Sequence, residues 1–386
     1  MKERGNPALR RMDRWLGIPL IALLSLFRKR RTKEEHAADG MAPPSAAPVI
    51  TLLKSSAIGD TVLLSAVIRD LRAGLPHCRL RLACGSSNAP LAHMVNGLEE
   101  VVVLPMSKPL QLWRMRRQLR SDVFVDLDSW PRINALIAFI SDSNRTIGFR
   151  TIGQHRHGLY DCVVDHSSSL HEVDNYRRLV WPLIAATGVT IDPVPRPWLS
   201  IPDAPLVHQG EGDPARIIVF HMFAGGSQAG YKEWPGEHWA MLTRELVSRG
   251  FRVALSGGPA DIERNRAFVE LIGADAGISV LPVTGLAPLA AWLRRTAAVI
   301  TVDTGIAHLA GAAGARTLVL YGPTAPQRWG ALGPKVHHLK DEQTPWIQLG
   351  FEVTSGGKPV QLTVDQVREA VLTLSIAGDE RESRHG

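Results

Sequence analysis

The sequence is short of cysteine, and what it has is scattered. Cys78, Cys84 and Cys162 are odd in number, and no two have the spacing of a metal-ligand pair. A disulfide framework is therefore excluded, and a reducing compartment is expected. No G-x-G-x-x-G follows the first apolar run, and no P-loop occurs. Both absences argue against a nicotinamide dehydrogenase or an ATPase. The apolar run WLGIPLIALLSLF (15–27) is too short to span a membrane. Its thirteen residues make a helix of roughly 20 Å, against ~30 Å of hydrocarbon.

A net positive charge is also missing from most of the chain. The 386 residues carry a net charge of +7. Residues 1–33 hold ten Lys/Arg and two acids, a surplus of eight, so the remainder carries one net negative charge. The body therefore lacks the basic face expected of a nucleic-acid binder, and the basicity belongs to an N-terminal arm. RKRR follows the apolar run at 28–31, and no small-residue cleavage site does. This pattern predicts an interfacial anchor over 15–31 rather than a signal peptide. Its basic residues would each gain roughly 1 kcal/mol at an anionic surface. The competing expectation is a helix packed on the body.

With 45% hydrophobic and 21% charged residues, the rest reads as an ordinary globular chain long enough for two domains. Residues 34–47 form a polar Ala/Pro-rich linker, and 48–190 alternate strand and helix patterns. The stretch 191–213 is a proline-rich linker, 214–376 a second alternating half, and 377–386 a tail. The fold class is α/β: two Rossmann-like domains with parallel sheets, whose ligand sites lie at the C-terminal strand edges, facing the cleft between them.

Five stretches at expected strand ends carry chemistry. In SSAIGD (55–60), Gly59 allows a tight turn and Asp60 precedes a helix, as an N-cap or as a functional carboxylate. In HMFAGGSQAGYKEWPGEHW (221–239), Gly225, Gly226, Ser227 and Lys232 suit a phosphate cradle. In SGGPADIERN (256–265), Asp261 or Glu263 suits ribose hydroxyls or a helix dipole. In VDTGIAHLAGAAG (302–314), Asp303, Thr304 and Gly305 open a helix of small residues suited to a pyrophosphate. His308 lies about one turn further on. Asp126 and Asp128 of VDLDSW form a weak D-x-D metal motif, and QHRHG (154–158) is a loop.

Taken in order, SAIGDTVLLSAVIRDLR, RTIGF, LHEVDNYRRL, YKEWPGEHW and VDTGIAHLAGAAGARTLVLYGPTAPQRWG resemble the glycosyltransferase family 9 heptosyltransferases of lipopolysaccharide core assembly. The resemblance covers roughly residues 48–335. It implies a GT-B fold, an acceptor-binding N-terminal domain and a donor-binding C-terminal domain. It also implies an inverting, metal-independent transfer with ADP-heptose as the usual donor and no cofactor. By this resemblance Asp60 is the base, Lys232 contacts donor phosphate and Asp261 contacts ribose. Asp303, Thr304 and Gly305 bind donor sugar and pyrophosphate, with His308 beside them. The expected acceptor contacts are Ser56, Gly59, Asp128 and Arg132, and no metal site is expected. The partners would be a nucleotide sugar, a lipid-linked saccharide and a membrane surface, with no nucleic acid. The expected location is cytoplasmic, peripheral on the inner face of the cytoplasmic membrane. The chain departs from the family pattern where Asp128 stands in place of a frequent Gln. Its loop MFAGGSQAGY is longer and less polar than usual. Competing expectations are a metal-dependent transferase using Asp126 and Asp128, and a non-catalytic nucleotide-sugar-binding module.

Overall fold

The computed structural model describes residues 13–27, 47–203, 213–225, 229–273, 277–283, 285–344 and 359–382. Two compact units result, Met1–Trp198 and Leu199–Gly386. Among the described residues, each holds one six-stranded sheet in which every pair is parallel.

The first unit opens with helix α1 (Ile18–Leu26). Its strands are β1 (Val49–Lys54), β2 (Arg79–Gly85), β3 (Glu100–Leu104), β4 (Val123–Asp126), β5 (Arg145–Arg150) and β6 (Cys162–Asp165). They lie in the order β3-β2-β1-β4-β5-β6. Strands β1 and β4 pair at the centre, with Leu53 opposite Asp126. Their apolar runs VITL and VFV are buried on both faces, as a sheet covered by helices requires. The covering helices include α2 (Ile58–Gly74), α3 (Arg132–Ile140) and α4 (Glu172–Ile184). Helix α4 buries Val173, Tyr176, Val180 and Leu183, a 3.6-residue stripe. Its Arg177 is pinned to Asp70 of α2 by a 2.9 Å hydrogen bond from Nε.

The second unit repeats the plan. Strands β7 (Ile217–His221), β8 (Arg252–Leu255), β9 (Ile278–Val280), β10 (Ala298–Val302), β11 (Thr317–Tyr321) and β12 (Val336–Lys340) lie in the order β12-β11-β10-β7-β8-β9. Its helices include α5 (Gly236–Ser248), α6 (Ile262–Ile272), α7 (Gly305–Ala312) and α8 (Val364–Glu382). Phe220, Trp234 and Trp239 form an aromatic cluster in the core, with ring centroids 4.7 and 5.0 Å apart. In each sheet the strand order reverses beside the first strand, between β1 and β4 and between β7 and β10. An open parallel sheet takes ligands at the C-terminal end of such a point.

Three strands escape the sequence patterns, β6, β9 and β12. All are sheet edges. An edge strand is half exposed and needs no continuous apolar run, so its sequence carries little signal. The stretch LQLWRMRRQLR lies in two short helices, Pro109–Arg114 and Arg116–Leu119, separated at Met115.

Helix α1 settles on the first unit. Ile21 is 2% exposed within the core cluster, and Leu24 packs beside it. The helix lies against His157–Leu159. The other face stays bare: Leu20, Leu23 and Leu26 are exposed, as are Trp15, Leu16 and Phe27 just outside the helix. The expectation of a helix packed on the body thus holds for one face of α1, and the opposite face is exposed. Among the described residues, no helix is long and apolar enough to cross a membrane. The basic cluster Arg28–Arg31 lies outside the described residues.

Candidate active site

Asp60 is not an N-cap. Helix α2 begins two residues earlier, so Asp60 sits in its first turn, where a carboxylate suits the helix dipole. The N-cap is Ala57, with φ +88° and ψ 150°. That region is essentially reserved for glycine and costs about 1–3 kcal/mol. Gly59 is therefore not the turn residue: it lies buried inside α2, and the strained turn falls on Ala57. The turn is braced from several sides. The Ala57 carbonyl accepts from the amide and hydroxyl of Thr61 at 3.1 and 2.8 Å. Asn88, fully buried, donates to the Lys54 carbonyl at 3.0 Å and to Thr61 Oγ1 at 2.8 Å. Gly85 closes the other side, since a Cβ there would lie 2.2 Å from the Ser55 carbonyl oxygen. Ser56 is partly exposed in this turn.

At the centre is a residue the sequence patterns passed over. Lys54, the last residue of β1, is buried, and its ammonium lies between two carboxylates. Asp128 Oδ1 is 2.5 Å away and Asp60 Oδ2 3.2 Å. The Tyr176 ring covers it, with the centroid 5.2 Å from Nζ. Burial works against the charge on Lys54, but Asp128 and then Asp60 outweigh it, and its pKa stands well above the ordinary lysine value.

Asp128 is not available to an acceptor. Its Oδ2 also accepts from the Ser55 amide (2.7 Å), Ser55 Oγ (2.6 Å) and Asn134 Nδ2 (2.7 Å). Burial would raise this carboxyl, but the Lys54 charge and these hydrogen bonds hold it below its usual range. Asp126 is engaged too. Fully buried, it receives Arg156 and the Tyr160 hydroxyl. Burial pushes it up to about 6 against the pull of Arg156. Both carboxylates of the D-x-D are thus turned to protein cations. Arg132 is buried as well, with its guanidinium on the carbonyls of Gln154 (2.8 Å) and Gly153 (3.2 Å), so it ties down a loop. Of the expected acceptor-side residues, Asp60 and Ser56 keep exposed surface, whereas Gly59, Asp128 and Arg132 are buried.

In the second unit the pair Lys232–Asp303 bridges the switch point. Lys232 lies in the segment after β7 and Asp303 directly after β10, with Nζ 2.6 Å from Oδ2. Burial would raise Asp303, but Lys232, with smaller help from His308 and Thr324, holds it below its usual value. Thr304 is the N-cap of α7, accepting from the Ile306 amide at 3.3 Å, and Gly305 is the first helical residue. His308 is buried beside Asp303. The small residue Gly311 serves protein packing instead of ligand approach, since a Cβ there would sit 2.6 Å from the Leu332 carbonyl oxygen. Asp261 accepts from the Gly258 amide at 2.8 Å, closing the turn before α6. Nearby, His221 Nδ1 lies 3.0 Å from Ser256 Oγ at the ends of β7 and β8. Burial pushes His221 down to about 4, with the Asp261 charge a smaller opposing influence, so the ring is neutral at physiological pH. Gly225 is exposed with open space where a Cβ would stand. Gly226 and Ser227 lie outside the described residues.

The KEWP element fixes this loop. Glu233 accepts from the Ala224 amide at 3.1 Å and from Arg264 of α6. Trp234 Nε1 donates to the Leu362 carbonyl at 2.8 Å. Lys232 points at Asp303, and the two residues that follow it, Glu233 and Trp234, tie the chain down.

A family model described as glycosyltransferase family 9 (heptosyltransferase) matches residues 112–349. The chain belongs to this family. Lipopolysaccharide heptosyltransferase 2 of Salmonella typhimurium is 24% identical over 312 residues, covering 75% of this chain and 87% of that one. Lipopolysaccharide heptosyltransferase 1 of Pseudomonas aeruginosa is 39% identical over 129 residues, but the match spans only 35% of that relative and 33% of this chain. Among solved structures, the E. coli ADP-heptose heptosyltransferase II aligns with a TM-score of 0.68 at 21% identity, covering 86% of this chain and 99% of that one. An E. coli heptosyltransferase solved with ADP gives 0.66 at 20%, with 84% and 99% covered. The two Rossmann-like sheets are the GT-B fold of these proteins, and the family 9 chain is a glycosyltransferase.

Proposed function

We propose that this family 9 member is an inverting, metal-independent glycosyltransferase that moves heptose from ADP-heptose onto a lipopolysaccharide core acceptor. One observation carries the reading. At the switch point of the first unit, Asp128 and Asp126 are saturated by protein donors, whereas the Asp60 side chain is 28% exposed at the strand edge. A displacement with inversion needs a base for the acceptor hydroxyl as it attacks the anomeric carbon. Asp60 is the carboxylate placed to take that proton. The departing diphosphate needs positive charge and N–H dipoles, which Lys232 and the first turn of α7 supply. Lys232 is paired with Asp303 yet keeps donors to spare, because an ammonium has three. Metal independence is favoured because the D-x-D carboxylates already hold Arg156 and Lys54. The names of the relatives support the donor and acceptor classes.

The donor side is tested by thermal shift with ADP, UDP and GDP. ADP is expected to stabilise the protein most, by ~2.7 kcal/mol at a hundredfold excess over Kd. Lys232→Ala, compared with its own nucleotide-free baseline because Asp303 loses its partner, is expected to weaken ADP binding about tenfold, the loss of one charge-assisted contact. Equal stabilisation by all three diphosphates, or unchanged affinity in the variant, sinks the donor assignment.

We also propose that residues 15–31 seat the enzyme on the inner face of the cytoplasmic membrane. The bare face of α1, continued by Arg28–Arg31 in the sequence, supports this: apolar burial and anionic attraction act together at an interface. Leu20→Ser, Leu23→Ser and Phe27→Ser combined are expected to reduce cosedimentation with anionic vesicles at least tenfold. Retained binding assigns that face another role.

A further inference from the structure

The buried cation at the first switch point is neither the base nor a donor-phosphate contact. Lys54 ends a central strand whose other side chains are aliphatic or hydroxylic, and an aliphatic residue would fill its stem's space without burying a charge. Its ammonium makes two carboxylate contacts of unequal kind. The partner at 2.5 Å, Asp128, is buried and held by three further hydrogen bonds. The partner at 3.2 Å, Asp60, stands in the first turn of α2 and reaches solvent. The arrangement is a chain of anchor, cation and exposed anion. The Tyr176 ring covers the cation from α4, and the Tyr176 hydroxyl, buried, makes no hydrogen bond among the described residues. The next charges outward are the paired Glu172 of α4 and His166, 3.0 Å apart.

We propose that Lys54 is a positioning residue for Asp60: anchored by Asp128, its ammonium fixes the direction of the Asp60 carboxylate and sets the pH at which that carboxylate accepts a proton. The inference rests on Asp60 being the base. A base must meet the acceptor hydroxyl at hydrogen-bond distance in a fixed orientation. A first-turn carboxylate whose side chain reaches solvent has several rotamers open to it unless something fixes one. A nearby cation also favours the ionised form of a carboxylate and lowers the pH at which it protonates. Asp128 tempers this by sharing the same charge, so the two anions compete for one cation.

The competition gives a test with opposite signs. In Asp128→Asn the side-chain shape remains, but Asp60 becomes the one anion bound directly to Lys54. The acidic limb of the kcat/KM–pH profile is expected to move to lower pH. In the double variant Lys54→Met with Asp128→Asn, both buried charges go together, so neither is left uncompensated. The acidic limb is expected to move up by about one pH unit or more, with kcat falling more than KM changes. The other groups facing the site, Tyr176 and the Glu172–His166 pair, are the same in both variants. Circular dichroism confirms that each is folded, and if the double variant does not fold, the downward shift in Asp128→Asn alone decides. Limbs that stay in place, or that move in the same direction, overturn the proposal. Asp60→Asn run alongside separates the two levels. If it retains turnover, the limb is not that of Asp60 and the catalytic reading fails. If it loses turnover while the limbs do not diverge, only the role of Lys54 fails.

Discussion

Asp60→Asn is expected to lower turnover by about two to four orders of magnitude, the usual share of a general base. The substitution also removes one of the two negative charges beside Lys54 and the acidic group in the first turn of α2, but it keeps the local packing. Asparagine keeps the shape of the side chain and an oxygen that can accept from Lys54, and Asp128 remains to neutralise that buried ammonium. The residue sits in the first turn of α2, not at its N-cap, so no capping hydrogen bond is lost. What disappears is the ability to take a proton. Single-turnover kinetics with ADP-heptose and a core acceptor would read the loss, and calorimetry with ADP would read donor affinity. Affinity is expected to stay within a factor of about two, because ADP is assigned to residues of the second unit. Turnover within tenfold of the parent would return Asp60 to a structural role.

The largest stability effect is expected at Arg156. This arginine is fully buried against Asp126, with Tyr160 hydrogen-bonded to both. It also donates to the Pro131 carbonyl at 3.0 Å, so it ties the loop before Leu159 to the end of β4 and the start of α3. Burial alone would weaken its charge, but Asp126 reverses that and raises its pKa above the ordinary arginine value. Arg156→Met strands Asp126 in the interior, a loss of about 3–5 kcal/mol. In the first unit that corresponds to a melting shift on the order of 10 °C. The loss has a pH signature. Asp126 already stands at about 6 with its partner in place, and without Arg156 it moves higher. Its folded pKa, already above the unfolded value in the parent, rises further, so the folded variant takes up its proton at higher pH and recovers stability over a wider range as pH falls. The melting deficit against the parent is expected to be smaller at pH 5.5 than at pH 8. Adding Asp126→Asn is expected to recover part of the loss and flatten the pH dependence. A deficit that is small, or that does not vary with pH, would show that the pair holds little of the fold.

The fold was legible because central parallel strands are apolar on both faces, and ten-residue helices between them keep a 3.6 period. The edge strands were not, for want of burial. The sites were legible as motifs but not as contacts. SSAIGD marked the right turn, yet its glycine pointed to residue 59, while the strained backbone falls on Ala57, an alanine that carries no sign of positive φ. Lys54 looked like the polar end of an apolar strand. Its meaning depends on Asp128, 74 residues away, arriving beside it through the pairing of β1 with β4. QHRHG reads as a loop, and nothing in it marks Arg156, which is joined to Asp126 across 30 positions. Long-range partners leave no local trace, so the sequence carries no sign that the side chains of Asp128 and Arg132 are turned inward.

The seat of α1 has a consequence for the order in which the chain is made. The helix rests on His157–Leu159 and its preceding turn on Arg132–Ile140, segments that leave the ribosome long after it. At roughly 5–20 residues per second, the delay is on the order of ten seconds. During that interval Ile21 and Leu24 are as bare as Leu20 and Leu23. A bilayer or chaperone met early encounters a helix apolar on every side; one met after the first unit has closed encounters only half of it.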